Sequence, residues 1–353
     1  MVTSENYLPP PKTCETVKSI AARCGGSLEI RWDAVQVDYA LPAHASEEVR
    51  DFLRAAASMR FAPESITRLP GGRVFGSGNV LSPDGDAIAR DVSQDFGKAF
   101  DEHWLLTCKK IRRPRLLAGA TAVIATTHGA GYAHWLLDEL PRLLALRPGD
   151  GDVLIGHAAH AVNREAFGLL GWAGEVIQPA RLSHFQCEQL VVPSVDGAPT
   201  PRAVERLVAF VEPLRDQVSP FGERIYVSRE SARRRRVANE AELWPQLSAR
   251  GFVNLKLEEL TWREQINAFR HARIIVAPHG AGLANLVFCQ PGAIVVELFN
   301  RSYVNGCFWQ VAALRNLDYR PVVPLSPEPI AETLRCNRDD ITVDVPQVQR
   351  ALA

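Results

Sequence analysis

Short apolar runs alternate with longer amphipathic stretches over most of the chain after about residue 115. Buried strands are predicted at ATAVIATT, DVLIGH and EQLVVPS, and later at RIYVSR, FVNLKL, RIIVAP and AIVVELF. Strands rich in valine and isoleucine that alternate with helices are typical of parallel sheets covered by helices on both faces. The pattern therefore predicts an α/β protein with two Rossmann-like sheets joined by a linker at SPFGE.

The length of the chain supports more than one domain. A chain of 353 residues exceeds what one small core needs and fits two domains of ordinary size. Residues 1–110 mix short apolar stretches with proline and glycine, which predicts a region of strands and loops packed on the first domain. We assign residues 111–219 to the first Rossmann-like domain and residues 220–353 to the second.

The composition excludes several classes of protein. A hydrophobic fraction of 46% with 23% charged residues is that of a globular protein, and the net charge of zero argues against broad nucleic-acid binding. No apolar stretch approaches the ~20 residues of a transmembrane helix, and the first residues lack a secretory signal pattern. We therefore expect a cytoplasmic protein. Seven cysteines without a C-x-x-C pair argue against a disulfide framework or a zinc ribbon.

The tetrapeptide His-Gly-Ala-Gly occurs twice, at residues 128–131 and 279–282, each time between a predicted strand and a predicted helix. Parallel sheets bind ligands at the carboxyl ends of their strands. Glycine lets the backbone approach a ligand, and the first N–H groups of a helix attract anions. We therefore expect each repeat to mark the ligand-facing end of one sheet, with both repeats facing one cleft.

Three segments of the second predicted domain carry groups that suit a nucleoside diphosphate. RIYVSRESARRRRVANEAEL places Arg229 at the end of a strand, shortly before four consecutive arginines. APHGAGLANLVF places His279 at a helix start, and AIVVELF carries Glu297 in an otherwise apolar strand. Guanidinium groups and helix N–H groups bind pyrophosphate, and a carboxylate can accept the ribose hydroxyls. The three segments together predict a site for a nucleotide-linked ligand.

These segments, together with YAHWLLDELPRLL, resemble the pattern of glycosyltransferase family 61, in which Tyr-Val-Ser-Arg, Glu-Gln-Ile and His-Gly-Ala-Gly follow in fixed order. The resemblance covers roughly residues 120–300. It implies a GT-B fold, in which two Rossmann-like domains face a central cleft, and inverting transfer of a sugar from a nucleotide donor. By position, the donor-binding residues would be Ser228, Arg229, Arg235, His279, Gly280, Ala281, Gly282, Asn285 and Glu297.

The resemblance also implies a biological setting. Enzymes of this type in bacteria build capsular polysaccharide and exopolysaccharide, which makes a glycan or a lipid-linked glycan the expected acceptor. UDP is the expected nucleotide, again by resemblance alone. Without a transmembrane segment, the chain would work in the cytoplasm, or as a peripheral protein at the inner face of the membrane, with no nucleic-acid partner.

In a GT-B enzyme the first domain serves the acceptor, so His128, Gly129 and Arg142 are expected on the acceptor side. Inversion needs a general base, and His134, Asp138 and Arg142 would share one stripe of a helix. Either Asp138 is the base, or His134 is the base and Asp138 holds its tautomer. We favour the second, because imidazole titrates near neutral pH. The structural alternative is that Asp138 pairs with Arg142 while His134 caps the helix.

Other features of the sequence are weaker evidence for a functional site. The D-x-D triplets Asp84–Asp86 and Asp150–Asp152 lie in glycine-containing turns, where aspartate is common, and His157 and His160 lack a third ligand. No metal site is predicted and no cofactor is expected to be required, with a divalent metal left as an open alternative. Pro141 is expected to kink its helix.

A second class of function fits many of the same features. A two-domain α/β protein could close on a phosphorylated or nucleotide ligand without chemistry. Such a protein would keep the arginine and glycine features but would have no need of the pair formed by His134 and Asp138.

Overall fold

The computed structural model describes residues 6–95, 98–331 and 339–353, and Cys336 lies outside the described residues. The chain divides into two compact units. Unit 1 contains the chain up to Val35 and from Phe61 to Ala198, and unit 2 contains Gln36–Arg60 and Pro199–Ala353.

The strands are, in chain order, β1 (Tyr7–Leu8), β2 (Thr13–Glu15), β3 (Ser27–Trp32), β4 (Val35–Asp38), β5 (Ser58–Phe61), β6 (Glu64–Pro70), β7 (Arg73–Phe75), β8 (Asn79–Leu81), β9 (Ala87–Ala89), β10 (Ile111–Arg112), β11 (Arg115–Val123), β12 (Val153–Ile155), β13 (Glu175–Ile177), β14 (His184–Pro193), β15 (Arg224–Val227), β16 (Val253–Leu255), β17 (Ile274–Pro278), β18 (Ile294–Leu298) and β19 (Asp318–Val322).

The α-helices are α1 (Val17–Arg23), α2 (Glu47–Arg54), α3 (Trp104–Thr107), α4 (Tyr132–His134), α5 (Leu140–Leu144), α6 (Ala161–Leu170), α7 (Pro201–Val211), α8 (Glu240–Ser248), α9 (Trp262–His271), α10 (Cys307–Leu314) and α11 (Val345–Ala351). A π turn spans Trp135–Glu139, and 3-10 segments span Glu212–Leu214, Leu257–Glu259 and Ala281–Phe288.

Unit 2 is built on a fully parallel sheet in the order β16-β15-β17-β18-β19. The chain leaves β15 for β16 on one side and then returns to the other side of β15 with β17. The strand order therefore reverses between β15 and β17, and such a reversal opens a ligand-binding crevice at the carboxyl ends of the two strands. Helix α9 begins with a capping box, in which Thr261 and Glu264 satisfy each other's backbone N–H groups.

Unit 1 has a sheet whose parallel part runs in the order β13-β12-β11-β14. The order reverses between β11 and β14, in the same way as between β15 and β17 in unit 2. The predicted α/β class with parallel sheets is therefore confirmed. The buried core of unit 1 includes Val123, Ile155 and Leu190 from the three central parallel strands.

Six of the N-terminal strands, β2, β3 and β6–β9, extend this sheet, whereas the sequence predicted a region packed on the first domain. Strands β6 and β7 both pair antiparallel with β14, so the sheet of unit 1 is mixed and not wholly parallel. The long strand β14 offers backbone N–H and C=O groups on the side away from β11, and the N-terminal strands satisfy them. Hydrophobic periodicity identifies a strand, but it does not identify the strand's neighbour.

Residues 36–60 form part of unit 2, although the chain on either side of them belongs to unit 1. The hydroxyl of Tyr39 donates to the carbonyl of Pro199 at 2.9 Å, and the indole N–H of Trp309 donates to the carbonyl of Ala40 at 2.8 Å. By packing, helix α7 also belongs to unit 2, so the two units divide at Ala198, ahead of the SPFGE linker expected from the sequence.

The helix that follows the first His-Gly-Ala-Gly loop begins as α4, passes through a π turn and continues as α5 without a break. The N–H of Leu140 donates to the carbonyl of Trp135, five residues earlier. Pro141 follows at once, has no N–H, and its ring would collide with the carbonyl four residues before it in a regular α-helix. The wide turn accommodates Pro141 and adds one residue, which rotates the following side chains by about 100°.

No helix within residues 6–95, 98–331 or 339–353 combines the length and the apolar character needed to cross a lipid bilayer.

Candidate functional site

The carboxyl ends of β15 and β17 bring Arg229 and Gly280 into contact. A Cβ atom on Gly280 would lie 2.2 Å from Nη1 of Arg229, so only glycine leaves room for the guanidinium over this loop. Nε and Nη2 of Arg229 donate to the carbonyls of Arg235 at 3.2 Å and Arg234 at 3.1 Å. Burial, together with the charges of Arg235 and Arg234, lowers the pKa of Arg229 to about 10. Arg229 therefore remains a cation at neutral pH, fixed at the crevice.

Arg235 is held in an unusual conformation beside the same loop. Its φ of 56° lies in the left-handed region, which costs of order 1–3 kcal/mol for a residue with a side chain. Its guanidinium lies 5.6 Å from the ring centroid of Tyr303, and its buried Nε has no hydrogen-bond partner among the described residues. Burial lowers the pKa of Arg235. A half-buried cation with an unused donor is a group that an anionic ligand would satisfy.

His279, the first residue of the second His-Gly-Ala-Gly loop, is oriented by a carboxylate. Its Nδ1 lies 2.5 Å from Oε1 of Glu297, and the hydroxyl of Tyr319 donates to Oε2 of Glu297 at 2.5 Å. The imidazole stacks against Phe299 and also contacts Phe308. Among the described residues, no side chain hydrogen bonds to Nε2 of His279. When Nδ1 donates to Glu297, Nε2 is the nitrogen that remains for a ligand.

Glu297 cannot bind ribose in the way the sequence suggested. Its side chain is fully buried, and both oxygens are occupied, one by His279 and the other by Tyr319. Burial and the Glu297 charge raise the pKa of Tyr319 well above its ordinary value, which keeps this hydroxyl a donor. The sequence was right to expect Glu297 near His279, but Glu297 lies behind the imidazole and positions it.

Ser228 and Asn285, two other residues expected to bind the donor, have their side chains engaged inside unit 2. The hydroxyl of Ser228 donates to Glu240 at 2.8 Å and accepts the N–H of Glu230 at 3.1 Å. The amide of Asn285 is fully buried and donates to Gln265 at 3.2 Å. These contacts fix the shape of the crevice, and neither side chain is presented to a ligand.

Ala281 and Gly282 begin the 3-10 segment that follows the loop. A Cβ atom on Gly282 would lie 2.6 Å from Cδ1 of Leu257, so this glycine permits close packing of the loop on the neighbouring 3-10 segment. The backbone of Gly280 is extended, with φ 174° and ψ 168°, as is usual where a strand passes into a turn.

In unit 1 the structure pairs the two residues predicted to be catalytic. Nδ1 of His134 lies 2.8 Å from Oδ2 of Asp138, and their side chains are 42% and 15% exposed. The ring of His128 lies 5.3 Å from that of His134. Burial, and then the neighbouring His134, lower the pKa of His128. The pair is therefore accessible to a substrate, and Asp138 is in the position needed to hold the tautomer of His134.

Arg142 is buried and does not share the stripe of His134 and Asp138, so its predicted position was wrong. Its guanidinium donates to the carbonyls of Ile124 at 2.5 Å and Pro193 at 2.8 Å, which bridges the ends of β11 and β14. Burial lowers the pKa of Arg142 to about 10. The π turn explains the error, because one added residue turns Arg142 away from the stripe expected for a regular helix. Arg142 therefore links the backbone at the ends of the two strands between which the strand order of unit 1 reverses.

Sequence reasoning missed Glu139 and gave His157 no role, because His157 and His160 lack a third metal ligand in the sequence. Oε1 of the fully buried Glu139 accepts the N–H of Thr126 and lies 2.7 Å from Nδ1 of His157, and Oε2 accepts the N–H of His157 at 3.2 Å. A Cβ atom on Gly129 would lie 1.6 Å from Oε1 of Glu139, so the first glycine of the loop is required by this carboxylate. His157 follows the carboxyl end of β12, where parallel sheets place functional residues. That position was the feature of the sequence that could have identified His157.

The described residues contain no group of three or more His, Cys, Asp or Glu side chains able to hold a metal ion. Both D-x-D triplets lie in turns. A hydrogen bond from the Ser82 hydroxyl lowers the pKa of Asp84 to about 2, and Asp150 pairs with Arg31 and Arg68. His160 contacts the carbonyl of Ala130 in the first loop at 3.2 Å.

Residues 132–296 match the family model described as Glycosyltransferase 61. An EGF domain-specific O-linked N-acetylglucosamine transferase of Drosophila melanogaster is 35% identical over 98 residues, and that of Gallus gallus is 31% identical over 101 residues. Each match covers 27% of this chain. The beta-1,2-xylosyltransferase RCN11 of Oryza sativa subsp. japonica is 26% identical over 95 residues, or 25% of this chain.

The chain spans only a small part of these relatives, 18% of the fly and rice proteins and 19% of the chicken protein. All three are eukaryotic proteins, and all three are named as sugar transferases. The matched region begins at the helix that carries His134 and Asp138 and ends in β18 just before Glu297. The matched region therefore includes the second His-Gly-Ala-Gly loop, Arg229 and Arg235, whereas the first loop and Glu297 lie just outside it. Over residues 132–296 the chain is therefore similar to the glycosyltransferases of family 61, and the three relatives are named as sugar transferases.

Proposed function

We propose that the chain is an inverting glycosyltransferase of the GT-B type, which moves a sugar from a nucleoside-diphosphate donor to a glycan or glycolipid acceptor. The observation that carries the proposal is the crevice between β15 and β17. There, Arg229 and Arg235 are partly buried cations, and His279 directs one ring nitrogen away from its carboxylate partner. A diphosphate supplies the negative charge that this arrangement lacks.

The donor would bind with its diphosphate at this crevice. A charge-assisted hydrogen bond contributes about 1.5–3 kcal/mol, so two guanidinium contacts would be sufficient for micromolar affinity when the base and sugar add further contacts. The same cations would stabilise the diphosphate as it leaves, because its negative charge increases when the bond to the sugar breaks. UDP remains the first nucleotide to test.

The pair of His134 and Asp138 would activate the hydroxyl group of the acceptor. With Nδ1 of His134 donating to Asp138, the other ring nitrogen would take the proton of the acceptor hydroxyl. The acceptor oxygen would bond to the anomeric carbon as the bond between that carbon and the diphosphate oxygen breaks. A single displacement of this kind inverts the anomeric centre. The 2.8 Å contact favours His134 as the base and Asp138 as the residue that holds it.

The setting that we propose is synthesis of a cell-surface polysaccharide of the capsular or exopolysaccharide type, in the cytoplasm or at the inner face of the membrane. The relatives act, by their names, on EGF domains or form a xylosyl linkage, so a protein-linked or glycan acceptor also belongs to the substrates to be tried. We propose that transfer needs no metal, which predicts equal rates with EDTA and with added magnesium or manganese.

The decisive experiment compares the wild type with Asp138→Asn. Binding of UDP and other nucleotides is measured by calorimetry, and transfer or donor hydrolysis is measured with a panel of nucleotide sugars. We expect Asp138→Asn to lose transfer by at least about a hundredfold, the usual size of a general-base contribution, with nucleotide affinity unchanged. Nucleotide binding by a wild type that turns over no donor would instead support the non-catalytic binding protein. Absence of nucleotide binding would contradict the glycosyltransferase and leave only a protein that binds another phosphorylated ligand.

A further inference from the structure

A strongly basic segment of unit 1 has no place in the proposed transfer reaction. Five of the seven residues 109–115 are lysine or arginine: Lys109, Lys110, Arg112, Arg113 and Arg115. The chain has no Asp or Glu between residues 103 and 137. Since the whole chain has a net charge of zero, this concentration of positive charge is local and not a property of the composition.

The fold displays this segment on the surface. Strand β10 pairs with β1, and β11 begins at Arg115, before the part of β11 that pairs with β12. The side chains of all five cations are exposed. Nζ of Lys110 lies 4.0 Å from the ring centroid of Tyr7, and the guanidinium of Arg115 lies 5.2 Å from that of Phe185. These aromatic rings support the two side chains and do not neutralise them.

The pairing of these cations differs from that of Arg23, Arg31 and Arg68 in unit 1. Among residues 6–95, 98–331 and 339–353, no carboxylate forms an ion pair with Lys109, Lys110, Arg112 or Arg115. By contrast, Arg23 pairs with two carboxylates. A cluster of unpaired like charges is unfavourable in the isolated protein, and an anionic partner would relieve it.

Large apolar side chains lie beside the cations. Leu116, the next residue after Arg115, is 75% exposed, and Leu182 and Trp104 are 49% and 41% exposed. Trp104 is joined to the segment through packed rings, because Phe75 contacts both Trp104 and His184, and Nδ1 of His184 bonds to the carbonyl of Arg112. Leu182 lies two residues before His184 at the same end of β14.

We propose that residues 109–116, with Trp104 and Leu182, form a docking surface for an anionic lipid bilayer. Cations attract the acidic headgroups, and exposed leucine and tryptophan side chains enter the interfacial layer, where their apolar surface leaves water. Nucleic acid would also attract the cations, but it offers no apolar layer for Leu116 and Leu182. The surface would place the enzyme where a lipid-linked acceptor is found, yet membrane binding does not depend on the proposed glycosyl transfer.

The test measures co-sedimentation of the full chain with vesicles of phosphatidylcholine, with or without about one third phosphatidylglycerol. The wild type should bind only the anionic vesicles. Binding should weaken when the ionic strength rises from about 0.1 M to about 1 M, because the Debye length falls from about 10 Å to about 3 Å. A surface cation contributes roughly a fivefold increase in membrane affinity, so Lys109→Gln, Lys110→Gln and Arg112→Gln together should weaken binding roughly a hundredfold.

The matched control removes three exposed cations elsewhere, with Lys18→Gln, Arg60→Gln and Arg250→Gln, and should change binding less than about threefold. Leu116→Ser should weaken binding about tenfold and leave its salt dependence unchanged, as expected for loss of one inserted leucine. Because all these side chains are exposed, circular dichroism and the melting temperature should match the wild type. Binding that is equal for neutral vesicles, equal loss in the control, or binding to a duplex RNA without binding to vesicles would overturn the proposal.

Discussion

Asp138 and Glu139 are adjacent carboxylates with opposite expected roles, and exchanging each for its amide should separate stability from activity. Glu139 is fully buried and accepts hydrogen bonds at both oxygens, whereas Asp138 is partly exposed and pairs with the accessible His134. In Glu139→Gln, one oxygen becomes an NH2 group. In either orientation this group meets a backbone N–H, that of Thr126 or that of His157.

The expected magnitude follows from those contacts. One charge-assisted hydrogen bond worth about 1.5–3 kcal/mol is lost, and a buried N–H left without an acceptor costs about 1–3 kcal/mol. We therefore expect Glu139→Gln to lower the free energy of unfolding of unit 1 by about 3–5 kcal/mol, which is also the usual cost of breaking a buried ion pair. Asp138→Asn, which affects a partly exposed pair, should cost no more than about 1 kcal/mol.

The assay is urea unfolding followed by circular dichroism, together with amide hydrogen exchange to localise the effect. Glu139→Gln should show faster exchange at Thr126 and His157, because their N–H groups lose the carboxylate that protects them. Asp138→Asn should unfold and exchange like the wild type while transfer is lost. Equal stabilities of Glu139→Gln and wild type would refute the reasoning, and so would a destabilisation by Asp138→Asn as large as that by Glu139→Gln.

Three further predictions concern other parts of the chain. Burial lowers the pKa of His103 from 6.5 to about 4, so between these pH values the unfolded state binds more protons and the free energy of unfolding falls as the pH decreases. At pH 5 the loss should be about 2 kcal/mol. Urea unfolding of His103→Asn should lack this pH-dependent loss. Gly280→Ala should press a methyl group against Arg229 and weaken UDP binding about tenfold in calorimetry, whereas an unchanged affinity would argue against a diphosphate at this loop. Burial raises the pKa values of Cys187 to about 11 and Cys289 to about 12, so iodoacetamide at pH 8 should label both only after denaturation, as mass spectrometry of the peptides would report.

The alternation of apolar runs predicted most strands in the parallel parts of both sheets, with the exception of β13 and β19. The same alternation predicted the strand ends where the two His-Gly-Ala-Gly loops lie. It also predicted the contact between the loop at Gly280 and Arg229, because both follow neighbouring strands at one edge of a parallel sheet. The pairing of His134 with Asp138 was predicted from helix spacing, and the contact forms although Asp138 lies within the π turn.

Arg142 and Glu297 show what spacing alone could not provide. A π turn is a local departure from 3.6 residues per turn, so the side-chain direction after it cannot be read from a regular helix. Glu297 has its partner Tyr319 on β19, a strand that the sequence analysis did not assign. For the same reason, the antiparallel strands on β14 and the buried contact of Glu139 with His157 depend on tertiary neighbours that no local pattern specifies.

The inclusion of residues 36–60 in unit 2 has a consequence for biogenesis. Tyr39, Val49 and Leu53 are buried in the finished protein, but the contact of Ala40 with Trp309 requires a residue made about 250 positions after the segment ends. At about 5–20 residues per second, the ribosome needs roughly 12–50 seconds to supply it. During that interval the segment lacks the part of its native packing that Trp309 provides, so a nascent chain stalled before Trp309 should be a preferred substrate for chaperones that bind exposed hydrophobic segments.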